Sequence, residues 1–189
     1  MALKSTVFKA SLGVADLDRP HYGDYNLTLA RHPSETDERM MMRLLAFALF
    51  ADEHLEFGRG LSAEDEPALW LRDYSGEIRL WIEVGLPDER AIRKAAGRAR
   101  AVVVLAYGGR TVDLWWAKEG GAMSRLDKLC VLALDAGQSA ALTALAQRNM
   151  QLQCTIQDGQ VWLTDGVQTV PIEPRRLAGG CQPCRRPSA

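Results

Sequence analysis

The sequence predicts a mixed fold, of the α+β or α/β class, in which helices flank a mixed β-sheet. Three observations indicate it: a capped helix near Ser34, a β-α-β unit over residues 77–107, and strands separated by Asp-Gly turns over residues 150–174. Domains bury the apolar faces of such elements by packing helices against a sheet. We therefore expect an αββαβ core between an N-terminal hairpin and a C-terminal β-meander.

The size and composition are those of an ordinary globular domain. The chain has 189 residues, of which 47% are apolar and 25% charged, and its formal net charge is -1. This charge excludes a protein that coats nucleic acid by bulk charge, so a nucleic-acid site would be a local patch. No stretch approaches the roughly 18 apolar residues of a membrane span, and no signal peptide is evident. We expect a cytoplasmic protein with no membrane partner.

The N-terminal part predicts a hairpin followed by a helix. Residues 4–16 are rich in β-forming residues, and residues 25–31 alternate between apolar and polar. Ser34 is a suitable N-cap, acidic residues follow it, and apolar residues then recur at helical spacing over about 18 residues. Met40–Met42 are interpreted as core residues of this helix.

The middle of the chain predicts the β-α-β unit. A short strand is expected at residues 55–59, and two apolar runs around Tyr74-Ser75-Gly76 predict a second hairpin. A helix begins after Pro87 with acidic residues in its first turn. The continuous apolar run at residues 101–107 is typical of a buried parallel strand.

The C-terminal part predicts alternating elements and a tail. We expect a helix over residues 111–118 that stops at Gly120-Gly121, with a strand as the alternative for this segment. A further strand and a second helix over residues 139–148 follow. The meander follows, and residues 175–189 are rich in Arg, Gly and Pro, which indicates disorder.

The four cysteines fall into two groups. Cys130 and Cys154 lie in apolar strands and are interpreted as core residues. Cys181 and Cys184 form an isolated C-x-x-C, a spacing that also occurs in zinc half-sites and redox pairs. A zinc site needs about four ligands, and the three distant histidines have no suitable spacing.

Catalytic motifs of several common enzyme classes are absent from the sequence. It has no P-loop, dinucleotide-binding fingerprint, nucleophile elbow or H-E-x-x-H motif. Carboxylates and basic side chains are the groups that remain.

The second hairpin brings two carboxylates to one end of a sheet. A turn centred on Ser75-Gly76 places Glu83 opposite Ala68, so Asp65 lies at the same end and Asp73 at the other. Two converging carboxylates suit a hard cation such as Mg²⁺. With a nearby basic residue, the ion could stabilise the charge that develops during phosphodiester hydrolysis.

Around these residues the sequence resembles the bacterial YaeQ family. The resemblance covers residues 1–172 and is carried by MALKSTVFKA, LTLARHPSETDERMMMRLLAFALFADE, DEPALWLRD, LWIEVGLPDERAIRKA and CTIQDGQVWLTD. It implies a restriction-endonuclease-like fold, a variation on the PD-(D/E)XK nucleases, in one domain over residues 1–172. Residues 173–189 are then a disordered C-terminal tail outside the domain.

The resemblance also implies roles for individual acidic residues. Asp65 takes the place of the motif Asp and Glu83 that of the second acid, so these two residues would hold Mg²⁺. Glu38, on the first long helix, resembles an additional acid that some of these nucleases carry.

The sequence departs from the pattern at the motif lysine, whose position is occupied by Gly85. Arg93 and Lys94, on the following helix, are the basic residues available to replace it. Helical phase favours Arg93, because Lys94 points nearly opposite to the apolar stripe. An arginine can stabilise charge but cannot accept a proton.

Three functions remain open at this point. The first is an Mg²⁺-dependent nuclease or phosphodiesterase that acts on nucleic acid. The second is a catalytically inactive protein with the nuclease fold that binds nucleic acid or protein. The third is a metal or redox role for the Cys181/Cys184 tail. The sequence does not specify a protein partner or an oligomeric state.

Overall fold

A computed structural model describes residues 4–59 and 65–180. Within these ranges the chain has a mixed α+β fold with four helices and two mixed sheets. The helices are α1 (Asp37–Leu49), α2 (Glu89–Arg98), α3 (Arg110–Met123) and α4 (Ala136–Thr143). The strands are β1 (Thr6–Asp16), β2 (His21–Arg31), β3 (Leu55–Phe57), β4 (Leu69–Arg72), β5 (Ile78–Val84), β6 (Ala99–Ala106), β7 (Leu129–Ala133), β8 (Asn149–Gln157), β9 (Gln160–Thr164), β10 (Thr169–Ile172) and β11 (Arg175–Ala178).

The first sheet joins the two ends of the domain. Its strand order is β10-β9-β8-β1-β2, with β1 and β8 parallel and the other neighbours antiparallel. The N-terminal hairpin and the C-terminal meander are therefore both confirmed, and they share one sheet. Asp158 and Gly159 join β8 to β9 with φ angles of 53° and 75°, the conformation that tight hairpin turns require.

The second sheet contains the β-α-β unit. Its order is β11-β7-β6-β5-β4-β3, and β5, β6 and β7 are parallel. Leu69 pairs with Ile82, which is the predicted register of the second hairpin. Near the turn the register shifts, and Arg72 pairs with Ile78. Ile78 then packs in the apolar cluster that α2 covers.

Helix α1 is the centre of the larger core cluster. This cluster takes residues from α1, from α4 and from both sheets, so the two helices lie between the sheets. Met40, Met41 and Met42 are fully buried, as predicted. The helix has 13 residues and begins later than predicted, because Thr36 is its N-cap and accepts a hydrogen bond from the Arg39 N–H at 3.1 Å. Ser34 bonds instead to His32.

Helices α2 and α3 cover the other face of the second sheet and form a second apolar cluster. Helix α3 does not stop at Gly120-Gly121 but continues to Met123. Gly120 lies inside the helix for a packing reason, because a Cβ atom at this position would lie 2.7 Å from the Trp116 ring. The glycine makes room for this indole instead of ending the helix. Of the helices in residues 4–59 and 65–180, none is long and apolar enough to cross a membrane.

The expected C-terminal tail is in part a strand. Residues Arg175–Ala178 form β11, which pairs antiparallel with β7 and so satisfies backbone groups at the edge of that strand. Arg175 also forms an ion pair with Asp113 at 2.7 Å. Cys181 and Cys184 lie outside the described residues. Cys130 and Cys154 are buried in the core, as predicted.

Candidate functional site

Glu83 lies near the carboxyl end of β5 and is half-buried. Its Oε1 accepts a hydrogen bond from the indole N–H of Trp81 at 2.7 Å. Burial raises the pKa of Glu83, while the Trp81 bond and the charge of Arg39 lower it by less. Its Oε2 has no hydrogen-bond partner among the described residues and is not an enclosed atom. Glu83 can therefore offer one oxygen to a ligand.

Trp81 connects Glu83 to helix α2. The indole is 5% exposed, and the Arg98 guanidinium lies 5.1 Å from its ring centroid. The same guanidinium donates a hydrogen bond to the main-chain carbonyl of Asp65 at 3.0 Å. A continuous set of contacts therefore runs from the segment before β4, through α2, to Glu83.

Asp65 is an exposed residue whose carboxylate bonds to Lys94. This bond and the positive charge of Lys94 lower the pKa of Asp65. Arg93 pairs instead with Glu89, one turn earlier on α2. Lys94, rather than the Arg93 favoured by helical phase, is therefore the residue that the structure brings to Asp65. The reason is that Asp65 lies over the solvent-facing side of α2 and not over its flank.

The carboxylates of Asp65 and Glu83 have different partners. The charged group that acts on Glu83 is Arg39, and those that act on Asp65 are Lys94 and Arg98. Within the described part of the chain, no three His, Cys, Asp or Glu side chains are grouped so that they could hold a metal ion. Mg²⁺ prefers several converging oxygen ligands, and its sharing by Asp65 and Glu83 stays a prediction.

Glu38 is half-buried in the first turn of α1. Burial raises the pKa of Tyr107, which follows β6, and the charge of Glu38 adds to this shift. Glu38 therefore lies at the same sheet end as Glu83. Among the described residues, no hydrogen bond or ion pair holds its carboxylate. It therefore stays a candidate for the role that the family resemblance implies.

The missing motif lysine has a backbone explanation. Gly85 has a φ angle of 113°, in the region that favours glycine over residues with a side chain. A Cβ atom built there would meet nothing within 4 Å, so space does not exclude a lysine but the backbone conformation disfavours it.

Three residues of this region were not predicted from the sequence: Trp81, Arg98 and Arg39. Trp81 shares a strand face with Glu83 because it is two residues away, and Arg98 shares a helix face with Lys94 because it is four residues away. These spacings would have found both. The charge of Arg39 acts on Glu83 because α1 packs on the sheet, which no local spacing predicts.

Comparison with known proteins gives matches over nearly the whole chain. The family model described as "YaeQ protein" matches residues 1–174. A Salmonella typhi relative, described as "Uncharacterized protein YaeQ", is 53% identical over 173 residues, which are 92% of this chain and 96% of the relative. An Escherichia coli K12 relative of the same description is 53% identical over 172 residues, covering 91% of this chain and 95% of the relative.

Two solved structures resemble the whole fold. The crystal structure of the YaeQ protein from Xanthomonas axonopodis pv. citri has a TM-score of 0.90 and 50% sequence identity, and covers 93% of this chain and 99% of that one. The crystal structure of the YaeQ protein from Pseudomonas syringae has a TM-score of 0.89 and 37% identity, and covers 93% of this chain and 97% of that one.

Proposed function

This chain belongs to the YaeQ family, and we propose that it binds the phosphodiester backbone of nucleic acid on the exposed side of α2. The order α1, β3, β4, β5, α2, β6 supports the proposal, because a helix, a mixed sheet and a β-α-β unit are what the resemblance to restriction-endonuclease-like proteins implies. We propose accordingly that the fold is a variation on that of PD-(D/E)XK nucleases, in a cytoplasmic protein.

The observation that carries the proposal is the charge of α2. The helix has four basic residues, Arg90, Arg93, Lys94 and Arg98, and a single acidic one, Glu89. Ile92 and Ala95 are buried against the sheet, so the basic side chains face solvent. We call these four residues the α2 basic surface. Clustered cations on one face are the usual electrostatic footprint of a phosphate-binding surface.

The ion pairs on the α2 basic surface do not prevent phosphate binding. The side chains of Lys94 and Asp65 are 60% and 73% exposed. An exposed pair of this kind contributes little to stability, so a phosphate oxygen can replace the carboxylate at little cost. When no nucleic acid is bound, Asp65 holds Lys94 through its carboxylate and Arg98 through its main-chain carbonyl.

Binding of a labelled oligonucleotide, followed by fluorescence anisotropy at low salt in EDTA, tests the proposal. DNA and RNA, single- and double-stranded, serve as probes. We expect the double variant Lys94→Gln/Arg98→Gln to weaken binding about tenfold, because two charge-assisted contacts are lost. The matched control is Arg72→Gln, which removes one exposed cation beside the β4–β5 turn. Absence of binding by the wild type, or equal loss in the control, rejects the proposal.

Metal-dependent hydrolysis of nucleic acid is the second candidate function. The bond between Lys94 and Asp65 favours it, because the resemblance assigns both residues to one site. The residues that would hold Mg²⁺ are Asp65 and Glu83, and one Glu83 oxygen has no hydrogen-bond partner among the described residues. Cleavage of labelled nucleic acid with added Mg²⁺ or Mn²⁺, abolished by Glu83→Ala, would support this function. Cleavage that Glu83→Ala leaves unchanged, or no cleavage by the wild type, rejects it.

A further inference from the structure

A cleft of about 1720 Å³ opens beyond the C-terminal end of α1, between the two sheets. The β1–β2 turn, the segment after α1 and the β4–β5 turn extend past the helix and form its walls. Pockets for small molecules commonly have about 300–1000 Å³, so the cleft has room for an organic ligand. It lies at the Asp73 end of the second hairpin, away from Glu83.

The floor of the cleft is apolar. It is formed by side chains that are buried in the larger core cluster, namely Leu49, Phe50, Ala51, Leu71, Ile156 and Val161. Such a floor favours a ligand with an apolar body, because that body leaves water on binding.

Three of the four aspartates that line the cleft are satisfied by the protein itself. Asp16 is 1% exposed and accepts bonds from the backbone and guanidinium of Arg19. Asp18 accepts the N–H groups of Asp158 and Gly159 at 2.8 and 2.9 Å. Asp73 accepts bonds from its own turn. These carboxylates therefore have little capacity left for a cationic ligand.

Two arginines that line the cleft have no acidic or carbonyl partner among the described residues. Arg79 is half-buried and Arg176 is exposed, and neither makes a hydrogen bond or an ion pair among the described residues. Arg79 lines the cleft because the register shift in β5 pairs Arg72 with Ile78. The remaining acids of the lining are Asp52, which accepts the His54 N–H at 2.9 Å, and Glu53, which is exposed and makes no hydrogen bond or ion pair among the described residues. Among the described residues, two arginines and one glutamate of the lining have no partner, so the unpaired charge beside the apolar floor is net positive.

We propose that this cleft binds an organic anion with an apolar body, whose acidic group pairs with Arg79 and whose body covers the floor. Arg176 adds a second cation for the same group or for a second negative charge. A buried or half-buried arginine without an acceptor is unfavourable, and a carboxylate, sulfonate or phosphate would supply one. This site is separate from the α2 basic surface and does not depend on nucleic-acid binding.

Titration of the full chain with the fluorescent anion anilinonaphthalenesulfonate tests the proposal. We expect one saturable site, and at least about tenfold weaker binding of the uncharged analogue N-phenylnaphthylamine, because it cannot pair with a guanidinium. Arg79→Gln should weaken binding of the anion about tenfold and leave the affinity for the uncharged analogue unchanged. Arg79→Lys, which keeps the charge, should restore most of the affinity. The matched control is Arg72→Gln, in the same cleft but already paired with Glu56.

Three results would overturn the proposal. They are absence of a saturable site, equal affinity for the charged and the uncharged probe, and unchanged affinity in Arg79→Gln. Thermal unfolding of each variant shows whether it is folded. Should Arg79→Gln fail to fold, Arg176→Gln on the exposed strand β11 replaces it, with the same expected selectivity for the anion. Oligonucleotide binding, measured in parallel, should not change in these variants.

Discussion

Glu83 combines partial burial with a single strong hydrogen bond. The indole N–H of Trp81 holds one carboxylate oxygen, but burial still raises the pKa of the group. A carboxylate in this situation costs folding free energy at neutral pH, because the folded state favours the protonated form. Retention of a destabilising charge is typical of a functional position.

Glu83→Gln should therefore stabilise the protein at neutral pH. The pKa of Glu83 is raised in the folded state, so its cost is present above that pKa and absent below the usual glutamate value of about 4.3. The amide still accepts the Trp81 bond. We expect the free energy of unfolding in urea to rise by about 1 kcal/mol at neutral pH, with no gain near pH 4. Destabilisation at neutral pH would contradict the account.

Glu77 is the matched control, because its pKa is shifted in the opposite direction to that of Glu83. Its carboxylate bonds to Arg100 at the far end of the same hairpin, and this lowers its pKa. Its stabilising effect is present above the usual glutamate pKa and is lost as the pH falls through the lowered one. Glu77→Gln should leave stability unchanged or slightly reduced at neutral pH, because the pair is exposed.

At the scale of elements, α1 carries a buried ion pair. Arg43 and Glu35 are each 1% exposed at the side chain, and two hydrogen bonds of 2.8 Å join them. Arg43 also donates to the carbonyl of Ala30, so the pair ties the helix to the end of β2. Removal of one partner would leave an uncompensated charge in the core.

Glu35→Gln should therefore cost about 3 kcal/mol of folding free energy, measured by urea unfolding. The control is Glu56→Gln, since the Glu56–Arg72 pair has side chains that are 59% and 45% exposed. That loss should stay below about 1 kcal/mol. Equal effects of the two substitutions would show that burial of the Glu35–Arg43 pair has no energetic consequence.

The two adjacent glycines of α3 should respond oppositely to alanine. A Cβ atom at Gly121 meets nothing within 4 Å, so Gly121→Ala should raise the free energy of unfolding by about 0.5–1 kcal/mol through helix propensity. At Gly120 the Cβ atom would lie 2.7 Å from the Trp116 ring, so Gly120→Ala should destabilise. Thermal unfolding of both variants checks this pair, and stabilisation by Gly120→Ala would contradict the packing described for Trp116.

At the scale of the whole molecule, features set by local sequence patterns were predictable, whereas contacts between distant segments were not. The register of the second hairpin followed from its turn, and the β-α-β unit from its apolar runs. The pairing of β1 with β8 could not be predicted, because the strands are far apart in sequence and neither sequence specifies which strand it pairs with. Asp65 was placed at the correct end of the hairpin, but its bond to Lys94 depends on how its segment packs over α2.

The net charge of the molecule limits how nucleic acid can bind. With a formal net charge of -1, the protein as a whole does not attract nucleic acid, and the proposed attraction comes from the α2 basic surface. Binding should therefore involve few phosphates and weaken with salt according to the number of cations engaged. This makes the salt dependence a direct count of the residues that contact the backbone.

The salt dependence of oligonucleotide affinity in EDTA, compared between wild type and Lys94→Gln, tests the central claim most directly. The account predicts measurable binding without metal, and a slope of log affinity against log salt that is smaller by about 1 in the variant. Equal slopes, or binding that appears only when Mg²⁺ is added, would contradict it.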